Sequence, residues 1–207
     1  MAARPNLARR PTAGRILLLG AMTAFGALSI DLYLPGLPVI ARALGASPES
    51  VGHSVAAYVG GQAVGQLFWG PLSDRHGRRA PLFAGIGLYV AASIACALAG
   101  SVALLLVARF AQGLGGCAAM VIARAIVRDE HDETGTARTL SWLTLVMGMA
   151  PILAPSMGAL VLDLAGWRAM FWLLAGFGVL VLVAAFAALP ETRGLPERAA
   201  ARAAHPF

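Results

Sequence analysis

Apolar residues dominate six stretches of the chain, at about 16–35, 51–71, 80–99, 102–124, 139–162 and 167–189, and polar residues collect between them. Each stretch approaches the roughly 20 residues that carry a helix across a hydrocarbon core. The pattern therefore predicts six membrane-spanning helices. The connections at Gly100–Ser101 and at "DLAGW", residues 163–167, are so short that the helices flanking each must be antiparallel neighbours. Residues 1–15 read as a basic arm and 190–207 as a polar, Ala-rich tail on either side of a 16–189 helical domain. The charged connection "RDEHDETGTAR", residues 128–138, reads as a solvated link.

Composition strengthens this picture. The chain is 58% hydrophobic and 13% charged, with a mean hydropathy of +0.74, as a bilayer-embedded chain requires. A cleaved signal peptide is the rival reading of the first stretch, since Arg9, Arg10 and Arg15 precede it. Five further apolar stretches follow, however, and no clear cleavage site precedes Asp31. The net charge of +6 comes with a strong bias, because all sixteen basic residues are arginine. With the N-terminus inside, thirteen of them fall on the inner side, Arg42 and Arg168 fall outside, and Arg109 lies within a span. The positive-inside rule then places both termini of a multi-pass protein in the cytoplasm, and the membrane expected for such a protein is a bacterial-type inner (plasma) membrane. The basic surplus is a topology signal, and no nucleic-acid partner is expected.

Several residue groups have structural readings. Trp69 and Trp142 fall near expected inner boundaries and Tyr33 and Trp167 near outer ones, where amphipathic rings anchor at headgroup depth. Gly61 and Gly65, and Gly113, Gly115 and Gly116, form small faces that let helices approach closely. Cys96 and Cys117 lie within spans and read as packing residues. His53, His76, His131 and His205 are scattered. With no metal-ligand cluster and no nucleophile paired to a base, neither an enzyme nor a cofactor is expected.

Four stretches carry candidate chemistry. "GPLSDRHGRR", residues 70–79, reads as a rigid cytoplasmic turn. Gly70 and Gly77 serve its backbone, Arg75, Arg78 and Arg79 hold it on the inner face, and Asp74 caps a helix or pairs locally. In "VARFAQGLGG", residues 107–116, Arg109 lies about 10 Å into its helix, and Gln112 shares its face. An arginine at that depth needs a bundle interior or a wet cavity, unless it snorkels to the surface. "MGMAPILAPSMG", residues 147–158, loses two backbone donors at Pro151 and Pro155, predicting a bend, while Gly148 and Gly158 permit close packing. The element is a structural kink or a moving gate. Finally, "GALSIDLYLPGLP", residues 26–38, places Asp31 roughly 22 Å along the first helix, at a depth similar to Arg109. Asp31 is either a proton carrier sharing a cavity with Arg109 or an interfacial cap before Pro35.

Together these stretches resemble the N-terminal half of a major facilitator superfamily transporter, most closely the Bcr/CflA branch of drug:proton antiporters. "DLYLPGLPVIARALGAS" is similar to that branch's first-helix signature, and "GQLFWGPLSDRHGRR" to the superfamily's helix two to three motif. "RFAQGLGG" resembles the helix-four motif and "APILAPSMG" the helix-five antiporter motif, with Ala154 and Ala159 where the wider pattern tends to glycine. "LPETR" is similar to the usual close of a first half. The resemblance implies an all-α membrane protein of six helices, one half (a 3+3 inverted repeat) of a twelve-helix fold that alternates access about a central site. It implies proton-coupled multidrug efflux, with Asp31, Arg109 and Gln112 in proton or substrate coupling. Gly70, Asp74, Arg75, Gly77, Arg78 and Arg79 would act as a conformational latch, and Gly148, Pro151, Pro155 and Gly158 as the antiporter element. The implied partners are drug-like small molecules, protons, the lipid bilayer and a second half, supplied by this chain or another. Truncation of a longer product, pairing of half-transporters and a non-transporting subunit all remain open, as does export of a metabolite or amino acid.

Overall fold

A computed structural model describes residues 13–130 and 132–191, all helix and connection, with no strand among them. The rest of the basic arm, including Arg4, Arg9 and Arg10, the rest of the tail, including His205, and His131 lie outside the described residues. The described residues form six long helices: α1 (Ala13–Asp31), α3 (Pro48–His76), α4 (Arg79–Ala97), α5 (Val102–Glu130), α6 (Glu133–Ala165) and α7 (Trp167–Ala188). A 3₁₀ turn, Leu34–Gly36, and a short helix α2 (Leu37–Ala43) link α1 to α3.

The first apolar stretch is thus interrupted where a continuous helix through residue 35 was expected. Pro35 and Pro38 lack the backbone N–H a continuing helix needs, and each sits instead at the start of a new element. Asp31 consequently ends α1. The charged segments at the opposite end differ too. Residues 70–76 are not a turn but the last turns of α3, which carries Pro71 inside it, and the reversal is confined to Gly77 and Arg78. Gly77 has φ +89° and ψ 172°, a region open in practice only to glycine. The 128–138 segment is largely helical rather than a loop: α5 runs to Glu130, and α6 begins after Asp132, whose side chain accepts from Gly135 N at 2.8 Å. α6 continues unbroken through Pro151 and Pro155.

Among the described residues, five stretches are long and apolar enough to cross a membrane: Gly14–Ala43, Arg79–Ala97, Val102–Glu130, Thr134–Ala165 and Trp167–Ala188. The sixth expected span, α3, falls short because Glu49, His53, Gln62, Gln66 and the Asp74–His76 end dilute its apolar content. At 29 residues, about 44 Å, it still runs the length of the bundle against α5.

The core is organised around α5, which packs on α3, α4 and α1. A Cβ at Gly61 would lie 2.0 Å from the Phe110 carbonyl oxygen, and one at Gly113 would lie 2.0 Å from that of Tyr58. α3 and α5 therefore touch backbone to backbone. Gly115 faces the other way, where a Cβ would meet Tyr89 N of α4 at 2.5 Å. Three of the four expected interfacial aromatics lie inside this core. Trp69 donates from Nε1 to the Leu114 carbonyl at 2.7 Å, and Trp167 and Tyr33 are buried. Trp142 alone is exposed.

Candidate functional site

Arg109 is fully buried, reached from α5 by the helical spacing that also brings Gln112 beside it. Its Nη1 donates to the Gln112 Oε1 at 2.7 Å and to the Ser29 carbonyl of α1 at 3.2 Å. The planar guanidinium lies between two tyrosine rings, 4.5 Å from the Tyr33 centroid and 4.4 Å from that of Tyr58. Phe171 of α7 stands 5.9 Å away. Both tyrosines are themselves held: Tyr33 Oη pairs with Ser54 Oγ at 2.7 Å, and Tyr58 Oη donates to the Phe25 carbonyl at 3.3 Å. Among the described residues no carboxylate forms an ion pair with Arg109. Aromatic faces and neutral acceptors hold the charge instead, the arrangement a desolvated guanidinium favours over an ammonium.

Asp31 does not join this cluster. The buried face of α1 runs through Met22, Phe25, Gly26 and Ser29 and is continued beyond its end by buried Leu32 and Tyr33, whereas Asp31 falls on the half-buried side with Ala24, Ala27 and Leu28. Among the described residues no ion pair joins Asp31 to Arg109, and the Ser29 carbonyl that receives Arg109 lies two residues before Asp31. α6 makes a close approach just beyond, at Leu32. A Cβ at Gly158 would lie 2.1 Å from the carbonyl oxygen of Leu32, the residue after Asp31. Of the helix-five group, Gly158 and half-buried Pro155 lie along this crossing side, while Gly148 and Pro151 are exposed.

At the far end of the bundle the residues of the 70–79 motif are drawn together by partners that the sequence did not single out. Arg78 is 4% exposed. Its Nε and Nη2 clasp Asp129 of α5 at 2.8 and 3.1 Å, and its Nη1 donates to Asp74 Oδ1 at 2.7 Å and Ser73 Oγ at 2.8 Å. Burial opposes the charge on Arg78, but the hydrogen bonds and charges of Asp129 and Asp74 more than offset it, and its pKa is raised. Glu191, just beyond α7, accepts from the backbone N–H of Arg78 at 2.8 Å and of Arg79 at 3.3 Å, so it caps the start of α4. Arg79 lies over Phe83 and Phe186, 5.4 Å from each ring, and donates to the Phe186 carbonyl. Arg15 at the start of α1 pairs with Glu130, next to Asp129. Gly70 and Arg75 lie in the last turns of α3 beside this cluster. Glu191→Gln is expected to cost about 1 kcal/mol, since one charge-assisted acceptor becomes neutral. Thermal unfolding in detergent checks this, and an unchanged midpoint would remove Glu191 from the clamp.

Long apolar helices around a buried arginine, with a charge-fastened turn at one end, define a multi-pass helical membrane protein. The model of the Major Facilitator Superfamily matches residues 17–207. The multidrug resistance protein MdtL of Escherichia coli is 40% identical over 164 residues, covering 79% of this chain and 42% of MdtL. The MFS-type transporter YdgK of Bacillus subtilis is 39% identical over 183 residues, 87% of this chain and 46% of YdgK. The crystal structure of the human organic anion transporter MFSD10 (TETRAN) superposes with a TM-score of 0.69 at 19% identity, covering 92% of this chain and 50% of that one. The chain belongs to the major facilitator superfamily, and it spans less than half the length of MdtL or YdgK.

Proposed function

We propose that the chain forms one half of a proton-coupled multidrug efflux antiporter of the Bcr/CflA type, with both ends cytoplasmic in a plasma membrane. The observation that carries this reading is the Arg109 cage: a fully buried cation held by rings and neutral oxygens. Its Nε and Nη2 are without acceptors among the described residues. Those two atoms form the side-on fork of a guanidinium, the edge that accepts a carboxylate bidentately. In this reading a helix shift brings Asp31 or an anionic substrate group to that edge, Gln112 holds the opposite edge, and proton gain by Asp31 releases it. The 70–79 motif latches one end of the bundle. Gly158 and Pro155 let α6 move against α1, with Gly148 and Pro151 on its outward face. The name of MdtL supports a drug-like small-molecule substrate, and the half-length match supports action with a second six-helix unit, either this chain again or another.

Reconstitution in liposomes with an imposed proton gradient tests the proposal. Asp31→Asn is expected to reduce proton-driven efflux of a cationic dye at least tenfold. Unchanged efflux would remove Asp31 from coupling. Absence of efflux from the wild-type chain, alone and with a full-length relative's second half, would favour a non-transporting subunit.

A further inference from the structure

Gln112 is fixed on both sides, and the second side lies late in α4, well away from the motif residue Arg79 at its start. Its Nε2 donates to Ser93 Oγ of α4 at 2.7 Å. Ser93 Oγ in turn donates to the Tyr89 carbonyl at 2.7 Å. A serine hydroxyl has one proton, and here that proton is committed to Tyr89, so toward Gln112 the oxygen can only accept. Gln112 must therefore present its NH₂ to Ser93, which leaves its Oε1 facing Arg109 Nη1. The arrangement closes through α1, because the Tyr89 Oη meets Ser29 Oγ at 2.7 Å and the Ser29 carbonyl accepts from Arg109. Ser29, Ser93, Arg109 and Gln112 are all buried, so no solvent competes for these bonds.

We infer that Ser93 is a positioning residue for Arg109, acting through Gln112. The inference rests on the reading of Arg109 as the coupling group, and it adds α4 to the elements that set the guanidinium's place. Without the Ser93 hydroxyl, the Gln112 amide is tethered at one end only. Its oxygen then spends part of the time away from Nη1, and Arg109 keeps the Ser29 carbonyl as its sole fixed acceptor. The identity of residue 93 would thus tune the site without touching the cation.

The test uses the full chain in detergent with isotope-labelled arginine, following the side-chain Nε–H signal of Arg109, assigned as the signal lost in Arg109→Lys. Ser93→Ala is expected to shift that signal and to speed its exchange with solvent about fivefold, the scale of one lost buried hydrogen bond. Ser93→Thr is expected to restore the parent signal, because in a helix its hydroxyl also bonds the carbonyl one turn back. Efflux should follow the same order. If Ser93→Ala protein is not recovered folded, Ser93→Cys serves, since a thiol is a poor partner for both bonds. An Arg109 signal unmoved by either variant, while Gln112→Ala moves it, overturns the inference, as does a threonine variant that behaves like alanine. Efflux insensitive to Arg109→Lys would instead sink the coupling role, with the Arg109 signal still reporting on Ser93.

Discussion

Replacing Arg109 with lysine should bring proton-driven efflux to background and destabilise the bundle, although the charge is kept. The guanidinium is planar and slots between Tyr33 and Tyr58 at 4.5 and 4.4 Å, while one of its nitrogens serves both Gln112 and the Ser29 carbonyl. An ammonium is compact, strongly hydrated and unable to stack. In a fully buried position it forfeits two ring contacts and at least one hydrogen bond, about 3 kcal/mol in sum. It also lacks the fork to which a carboxylate could bind side-on. Efflux and thermal unfolding of Arg109→Lys should therefore both fall. Wild-type unfolding with lost efflux would confine Arg109 to chemistry, and wild-type behaviour in both would leave the cage without a role.

Arg109 and Gln112 were legible because helical spacing alone puts them on one face, and because an arginine at that depth demands an interior. Their surroundings were not. Tyr33 reads as an interfacial anchor by its position after Asp31, yet the prolines at 35 and 38 turn the chain there and bring its ring over the guanidinium. Tyr58 and Ser93 carry no local signal, since an uncharged polar residue in an apolar helix gains meaning only from the neighbour a crossing supplies. The same holds for Asp31. Its depth could be estimated, but its rotation about α1 is set by which face Phe25 and Ser29 bury, and that leaves Asp31 half-buried beside the buried stripe. The glycines of α5 were the most readable packing feature, because small residues at membrane helix crossings have few other uses.

The 70–79 motif shows the same division. Its charges and its glycine are visible locally, but Asp129 and Glu191 reach it only through the fold, from the ends of α5 and α7. This makes Arg78 the position with the second large expected effect. Arg78→Gln removes a two-bond clasp on Asp129 and a bond to Asp74. Breaking a buried pair costs about 3–5 kcal/mol. Here Asp129 keeps 22% and Asp74 45% of its side-chain exposure, so water recovers part of that loss and about 2–3 kcal/mol is expected. Asp129→Asn alone should cost less, because Asp74 and Ser73 still attend Arg78. A double-mutant cycle decides between a fastened turn and a set of independent surface charges. If the clasp holds α5 to the turn, the double variant is more stable than the sum of the single losses predicts, by about 1 kcal/mol or more. Strict additivity in thermal unfolding would mean that the α3–α4 turn is held by its own helices and by Glu191, and that the motif's arginine fastens nothing.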